Sequence, residues 1–342
     1  MEHERLGIGD LFRMADQFHD SALLQFAHAS GVFEWTTTPC AAPDLAGHMG
    51  WVSRKTAIFL NALVAIGLLT KDTRGQYLNT PVADECLVKS RPGYMGGVIE
   101  HQRLQWDTWT RIGDVLSTQD VLPWHQEQRL RTDAAANDAF HSAMRNLARA
   151  NVPALLALPI PKGRKHVIDM AGSHGTYLAA MAHADSELTG EVWDLPGAQR
   201  LARETFDEYG CAERCAFHTK DITVPASYDG VKADLVMLND CLHYFEPEMV
   251  SDVLALAAGV LAPGGTLLLA TQLLHADGVT PAPAAGFSMH MMLNTARGGL
   301  HASPWIAQRM GDLGFSVSEW PLDPTGRYVV LLGKRNDGAR AH

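Results

Sequence analysis

The sequence predicts a mainly helical first part followed by a doubly wound α/β domain. Two observations indicate this division. Apolar residues recur at helical spacing through most of residues 8–150, and strand and helix patterns alternate from about residue 163 onward. The length of 342 residues agrees with it, because domains average about 150 residues. With 46% apolar and 19% charged residues, the chain has enough material for a sizeable core.

The first part is predicted to contain a winged-helix unit. Residues 53–69 form a strongly apolar helical pattern that begins at Ser53, and a glycine-containing turn and a short strand pair follow it. Units of this kind often bind DNA, but a helix that reads a groove needs exposed basic side chains. This helix carries only Arg54 and Lys55, so we expect it to be buried in a dimer or domain interface.

The second part alternates strands with helices, as a doubly wound parallel sheet does, and an antiparallel pair is expected at its end. Ligands of such sheets bind outside the carboxyl ends of the strands, so the residues that follow each strand are the functional candidates. The predicted strands span residues 166–171, 189–195, 233–240, 265–274, 315–322 and 326–334.

The composition argues against several partners. The net charge is −10, which disfavours binding to nucleic acid or to an anionic membrane. No apolar run approaches the ~20 residues of a spanning helix. The N-terminus shows no basic region followed by an apolar stretch, so a cytoplasmic protein is expected. Five scattered cysteines do not make a disulfide framework.

One loop and two acidic positions predict a pocket for an adenosine-containing cofactor. The loop after the first strand of the sheet, residues 169–175, has small residues that allow a ligand to approach the backbone closely. Asp194 ends the next strand, 22 residues after Gly172, where an acid can bind both ribose hydroxyls. Asp221 follows a further strand and is suited to an adenine amino group. NAD stays formally open, although the loop lacks the G-x-G-x-x-G spacing.

These features resemble the S-adenosylmethionine-dependent small-molecule methyltransferases of the plant caffeic-acid O-methyltransferase type and their bacterial relatives from antibiotic pathways. The resemblance covers nearly the whole chain, and the combination is specific although each piece alone is not. The matching segments are GVFEW, FLNALVAIGLL, LNTPVA, IDMAGSHG, VWDLP, HTKDI, NDCLH, LAPGGTLLL, MMLNTARGG and DLGF.

The resemblance implies a domain organisation. Residues 1–110 would form a winged-helix dimerisation domain, and residues 111–160 a helical linker that contributes to the substrate pocket. Residues 161–338 would form a Rossmann-like class I methyltransferase domain. A homodimer joined through the N-terminal domain and a small-molecule substrate are implied as well.

The resemblance also implies which residues hold S-adenosylmethionine. Its contacts carry over to Gly172, Asp194, Asp221 and Ile222, and the residues expected beside them are Asp169, Leu195 and Asn239. Two positions depart from the family pattern. Asn239 stands where a lysine is usual, and Tyr244 stands where an aspartate follows the catalytic histidine.

The catalytic histidine of the O-methylating members corresponds to His243, which would take the proton from a phenol. Two glutamates usually flank that histidine, but their positions correspond to Thr271 and His301. A further histidine, His290, lies in a segment that lines the substrate pocket of the family. Histidine is a common ligand of transition metals, so a metal ion, iron or zinc, bound by His243 and His290 is expected.

A metal would favour another reaction, which resembles that of the 2-oxo acid C-methyltransferases of peptide-antibiotic pathways. The metal would chelate a 2-oxo acid and acidify its C3 proton, and C3 would take the methyl group. Asp240 would be a third ligand, a base or a strand-end cap, and Arg129 either binds the substrate carboxylate or is a solvated helix charge. The alternative is metal-free O-methylation of a phenol or similar hydroxyl with His243 as general base. A winged-helix regulator that senses S-adenosylmethionine is the rival from another class.

Overall fold

A computed structural model of the chain divides into two compact units, with the boundary between Gln105 and Trp106. The structure describes residues 6–160, 163–228, 230–323 and 328–336. The expected domain limits at residues 1, 161 and 338 lie outside these described residues.

The first unit is mainly helical and carries a small antiparallel sheet, in which β3 lies between β1 and β2. Helix α5 followed by the hairpin of β2 and β3 is the predicted winged-helix arrangement, and Gly75 turns the hairpin with a φ of 81°. Its elements are α1 (Ile8–Asp16), α2 (Phe18–Ala29), α3 (Val32–Trp35), β1 (Cys40–Ala41), α4 (Ala42–Met49), α5 (Ser53–Ala65), β2 (Leu69–Lys71), β3 (Gln76–Asn79), α6 (Pro81–Leu87) and α7 (Gly96–Leu104).

Helix α1 presents an apolar stripe to solvent. Ile8, Leu11 and Phe12 follow one another at helical spacing, and they are 75%, 57% and 68% exposed. No residue of this helix is buried within the single chain. The core of the unit is built instead from later helices and strands, with Phe33, Leu60 and Tyr77 among its fully buried side chains.

The second unit contains the predicted α/β pattern. Its helices are α8 (Trp106–Trp109), α9 (Ile112–Leu116), α10 (Gln126–Thr132), α11 (Ala134–Leu156), α12 (Thr176–Ala184), α13 (Gln199–Glu208), α14 (Pro247–Val260), α15 (Ala282–Asn294) and α16 (Ser303–Asp312). Its strands are β4 (His166–Met170), β5 (Thr189–Asp194), β6 (Cys215–Thr219), β7 (Ala233–Leu238), β8 (Leu261–Gln272), β9 (Phe315–Pro321) and β10 (Tyr328–Arg335).

These strands form one sheet in the order β6-β5-β4-β7-β8-β10-β9. The strands from β6 to β8 are parallel, whereas β10 runs antiparallel to both β8 and β9, as the sequence predicts. Both faces of the sheet are covered. In β7, Leu235 and Met237 pack into one hydrophobic cluster while Val236 and Leu238 pack into the other. Because successive side chains of a strand point to opposite faces of the sheet, alternate residues of β7 contribute to the hydrophobic clusters on the two faces.

The sheet reverses its winding between β4 and β7. Helix α12, which follows β4, packs on one face, and α14, which follows β7, packs on the other. The loops that leave these adjacent strands therefore diverge and open a crevice at the carboxyl edge of the sheet. This crevice lies where the sequence places its candidate functional residues.

Within the described part of the chain, no helix combines the length and the apolar character that crossing a membrane requires.

Candidate functional site

The loop after β4 turns sharply and leaves space beside the backbone. Ala171, Ser173 and Gly175 all have positive φ, at 54°, 47° and 66°. Left-handed conformations are costly for residues with a side chain, so the surrounding structure must hold Ala171 and Ser173 there. A Cβ on Gly172 would lie 2.5 Å from Cγ of Asp169. Glycine is therefore required at this position, because the loop folds directly onto the aspartate.

Asp194 ends β5 and binds this loop. Its Oδ2 accepts the backbone N–H of Ser173 at 2.7 Å, and its Oδ1 accepts that of Leu195 at 2.6 Å. Burial raises the pKa of Asp194 to about 6, although both hydrogen bonds favour the ionised form. The structure thus places Asp194, Leu195 and the loop at one edge of the crevice.

Asp169 lies deeper, at the end of β4, and is 1% exposed. Burial and, to a smaller extent, the negative charge of Asp194 raise the pKa of Asp169 to about 8. Asn239 donates from Nδ2 to Asp169 Oδ1 at 3.3 Å and accepts the Ala270 N–H at Oδ1. The Asn239 hydrogen bond lowers the pKa of Asp169 and offsets these two effects only in part. Asparagine in place of the usual lysine thus joins Asp169 to the main chain of β8 without bringing a positive charge to it.

Asp221 follows β6, the next strand along the sheet edge. Its Oδ1 accepts two hydrogen bonds from Thr223, one from the backbone N–H at 2.9 Å and one from the hydroxyl at 2.6 Å. Ile222 is buried, and its carbonyl accepts the Tyr228 hydroxyl. The backbone N–H of Lys220 donates to the Asp194 carbonyl, which holds this turn against the end of β5.

The turn after β7 carries the candidate base. Asp240 has a φ of 48°, its N–H donates to the carbonyl of Ala270, and residues Leu242–Tyr244 form one 3₁₀ turn. His243 lies in this turn and is 5% exposed. Its Nδ1 has no hydrogen-bond partner among the described residues. Burial lowers the pKa of His243 to about 3, and the nearby imidazoles of His301 and His290 add to the shift.

Several aromatic rings lie close to His243. The Phe287 ring meets His243 edge-on at 5.2 Å and stacks on His290 at 5.6 Å, and Trp109 lies 6.3 Å beyond His290. The Tyr244 ring lies 4.9 Å from that of His243, and its hydroxyl accepts a hydrogen bond from Gln126 Nε2. We call Trp109, His290, Phe287, His243 and Tyr244 the aromatic row.

Among the described residues, neither side chain at the two positions where glutamates are usual makes a hydrogen bond to His243 Nδ1. Thr271 is buried, and its hydroxyl has no partner among the residues described. His301 Nε2 instead donates to the carbonyls of Leu242 and Phe245, at 3.2 and 3.1 Å. The flanking carboxylates are therefore replaced by a hydroxyl without a hydrogen-bond partner in the described structure and by an imidazole that binds main-chain carbonyls.

The glycine pair before His301 packs against the same turn. Gly299 N–H donates to the His243 carbonyl at 3.0 Å, and Gly298 N–H donates to Thr295 Oγ1 at 2.7 Å. A Cβ on Gly298 would collide with Thr295 Oγ1 and lie 2.8 Å from the His243 carbonyl oxygen. A Cβ on Gly299 would meet only Ser288 Oγ, at an ordinary 3.7 Å.

The expected metal centre is not supported. Among the described residues, no group of three or more histidine, cysteine, aspartate or glutamate side chains is placed to hold a metal ion. His243 and His290 lie near each other, but the Phe287 ring packs against both imidazoles. The site was predicted from a second histidine in the substrate-pocket segment and from the missing glutamates, and the structure shows both histidines packed against an aromatic ring.

Several site residues were not predicted. Phe287 lies one helical turn before His290 on α15, so the i, i+3 spacing could have indicated it. The bond of 2.7 Å between His141 Nδ1 and the Ser173 hydroxyl joins α11 to the loop after β4, and the sequence gives no signal for it. Arg129 lies half-buried in α10, and its role toward a substrate carboxylate stays a prediction, as does that of Asp240.

Comparison with known proteins gives two family matches. An O-methyltransferase domain model matches residues 124–316, and an O-methyltransferase dimerisation domain model matches residues 12–89. A solved O-methyltransferase family protein from Burkholderia thailandensis is 40% identical, with a TM-score of 0.91 over 98% of this chain and 99% of that one. Human N-acetylserotonin methyltransferase, solved with S-adenosylmethionine, shares the fold at 20% identity and a TM-score of 0.84, over 98% of this chain and 100% of that one.

Two curated bacterial relatives act on hydroxyl groups, according to their names. A 3-hydroxy-5-methyl-1-naphthoate 3-O-methyltransferase from Streptomyces sahachiroi is 28% identical over 80% of this chain and 79% of its own length. A tetracenomycin polyketide synthesis 8-O-methyl transferase from Streptomyces glaucescens is 25% identical over 91% and 92%. The interpretation as a metal-dependent 2-oxo acid C-methyltransferase finds no support in these comparisons.

The glycine pair offers a test of the packing around the His243 turn. We expect Gly298→Ala to lower the free energy of unfolding by about 1–3 kcal/mol, because the new methyl group overpacks a backbone contact. Gly299→Ala should change this free energy by less than about 0.5 kcal/mol, because the new methyl group meets only Ser288 Oγ at an ordinary contact distance. Urea unfolding of both variants measures this, and equal effects would contradict the described packing.

Proposed function

This chain belongs to the O-methyltransferase family, and we propose that it methylates a phenolic hydroxyl of a small aromatic molecule with His243 as general base. S-adenosylmethionine is the methyl donor. The proposal rests mainly on one observation: a buried imidazole whose Nδ1 has no hydrogen-bond partner in the described structure, set in a row of aromatic rings. Homologues that modify antibiotics and other secondary metabolites support a substrate of that kind.

The residues of the crevice fit an adenosine-containing donor. Gly172 allows close approach to the backbone, and Asp194 is fixed by two backbone N–H groups at the end of β5. We propose that Asp194 binds the ribose hydroxyls and that Asp221 and Ile222 hold the adenine. Asp169, Leu195 and Asn239 would complete the pocket. The bound donor supplies an electrophilic methyl group on a sulfonium.

His243 would act on the substrate hydroxyl. A neutral imidazole accepts the hydroxyl proton as the oxygen forms its bond to the methyl carbon, and the electron pair of the broken C–S bond passes to sulfur. Phe287 and Tyr244 both pack against the imidazole, and such rings would offer faces and edges to a flat substrate. Proximity and orientation supply much of the rate in such a site.

The homodimer is supported by the dimerisation domain. We propose that the apolar stripe of α1, formed by Ile8, Leu11 and Phe12, lies against a second copy. These large side chains are more than half exposed in the single chain, and helix α1 overlaps the start of that domain. Burying each would contribute about 1.5–3 kcal/mol to association.

The site of methylation tests the proposed reaction. We expect methyl transfer to the oxygen of 3-hydroxynaphthoate or N-acetylserotonin, identified by the NMR shift of the new methyl group, and no effect of a chelator. His243→Asn should lower kcat by about 10²- to 10⁴-fold, because a general base is lost. The matched control His183→Asn changes an exposed residue of α12 and should leave kcat unchanged. A methyl group on C3 of phenylpyruvate, with turnover lost on chelation, would overturn O-methylation.

The pH dependence of kcat follows from the buried base. Because burial lowers the pKa of His243 to about 3, the imidazole stays neutral well below pH 6.5. We expect kcat at saturating donor to stay constant within about twofold from pH 7.5 to pH 5. Donor affinity should fall below pH 6 as Asp194 takes up a proton. A loss of kcat with a midpoint near 6.5 would contradict this.

Donor binding tests Asp194. Asp194→Asn should weaken S-adenosylhomocysteine binding by about 10- to 100-fold, since a charged hydrogen bond contributes about 1.5–3 kcal/mol. Isothermal titration calorimetry measures the affinity, and Asp207→Asn, on the exposed side of α13, is the matched control. Equal affinities in the two variants would show that Asp194 does not contact the donor.

The dimer contact is tested on α1. Replacing Leu11 and Phe12 together by aspartate should weaken the dimer by at least about 10²-fold, because two apolar side chains lose their burial. Light scattering across a dilution series measures the effect, with Asp16→Lys on the same helix as the control. A dimer of unchanged affinity would show that this stripe lies outside the interface.

A further inference from the structure

Three backbone carbonyls of the turn that carries His243 are bound by one segment of the chain. Gly299 N–H donates to the carbonyl of His243, and the His301 side chain donates to the carbonyls of Leu242 and Phe245. The turn and the segment are more than 50 residues apart in sequence. They are therefore joined by tertiary contacts alone, directly behind the candidate base.

The two carbonyl oxygens that contact His301 determine which ring nitrogen carries a proton. A carbonyl oxygen can only accept, so Nε2 of His301 carries a proton and shares it between two oxygens, at 3.2 and 3.1 Å. The ring stacks on Trp305, with centroids 5.3 Å apart and planes at 29°. The stack and the shared hydrogen bond together define where this imidazole lies.

The His243 side chain needs support from its backbone. Its Nδ1 has no hydrogen-bond partner in the described structure, and the buried Thr271 hydroxyl has none either. Orientation of the imidazole therefore depends on the ring contacts with Phe287 and Tyr244 and on the position of the turn itself. A carboxylate at position 301 would face two carbonyl oxygens and could donate to neither.

We propose that His301 is a positioning residue: its Nε2–H holds the carbonyls of Leu242 and Phe245 and so fixes the turn from which His243 reaches the substrate. His301 acts through the main chain, whereas a flanking carboxylate would act on the imidazole of the base. The catalytic consequence rests on the proposed role of His243, while the hold on the turn does not.

Three variants of His301 distinguish the effect of its N–H donor from the effect of side-chain size. His301→Gln places an amide N–H close to the position of Nε2, and His301→Glu has the same shape but only acceptor oxygens. His301→Asn keeps the amide but is one methylene too short to reach the carbonyls. If the shared hydrogen bond is the essential feature, the glutamine variant alone should behave as the wild type.

The first measurement needs no substrate. Diethylpyrocarbonate modifies neutral imidazoles that become accessible, and peptide mass spectrometry follows each histidine separately. We expect modification of His243 to be about tenfold faster in His301→Glu and His301→Asn, because loss of a hydrogen bond favours local opening of the turn. His301→Gln should match the wild type. His174, which is equally buried at 5% but lies in the loop after β4, serves as the internal reference and should not change.

The second measurement is kinetic and uses the same phenols as above. We expect kcat to fall by about 10²-fold in His301→Glu and His301→Asn, since a small displacement of a catalytic group has effects of this size. The affinity for S-adenosylhomocysteine should stay within about twofold, because the donor pocket is not altered, and His301→Gln should restore kcat to within about threefold of the wild type.

The outcomes distinguish the two proposals. Faster modification of His243 and His174 together would show that His301 only stabilises the fold, and would overturn the inference. Higher kcat in His301→Glu would also overturn it, because a carboxylate would then serve the base directly. If His243→Asn keeps full activity, the proposed function fails, yet selective exposure of His243 in His301→Glu would still establish the hold on the turn.

Discussion

The reversal of winding between β4 and β7 determines where chemistry takes place in this protein. A sheet that buries both faces leaves only its edges for binding, and the two helices that leave these strands cover opposite faces. The loops at their carboxyl ends diverge without covering one another. One loop binds Asp194 and the other carries His243, so a donor and an acceptor of a methyl group can meet between them.

Two acidic side chains share one edge of this crevice and cannot both ionise easily. Asp169 is almost fully buried, and burial together with the charge of Asp194 raises its pKa, so ionisation of both carboxyls at once is disfavoured. A lysine at position 239 would have favoured a second charge. Asn239 joins Asp169 to the backbone of β8 without bringing a positive charge to it.

The sequence predicted the sheet well because its strands are buried on both faces and form continuous apolar runs. The start of β8 was predicted at residue 265, because Pro263 and the two glycines after it are typical of a turn. In the structure the strand already begins at Leu261. Asp194 and His243 could be found from their positions after strands. The hold of His301 on the turn could not, since it joins residues far apart in sequence. The expected metal finds no support for a related reason: residue types suggest ligands, but only the fold shows which side chains meet, and no group of three or more candidate ligands comes together among the described residues.

A base of low pKa suits a site that depends on geometry. A carboxylate beside His243 would raise the pKa of its imidazole and make it a stronger proton acceptor, but it would also favour the inactive protonated form in mild acid. Burial among aromatic rings has the opposite effect and keeps the imidazole neutral. The weaker base then depends on simultaneous attack by the oxygen on an activated methyl group, which requires that oxygen, methyl carbon and imidazole be aligned. If His243 is the base, as proposed, the alignment depends on the main chain of one short turn, and the groups that bind its carbonyls then belong to the site together with the histidine.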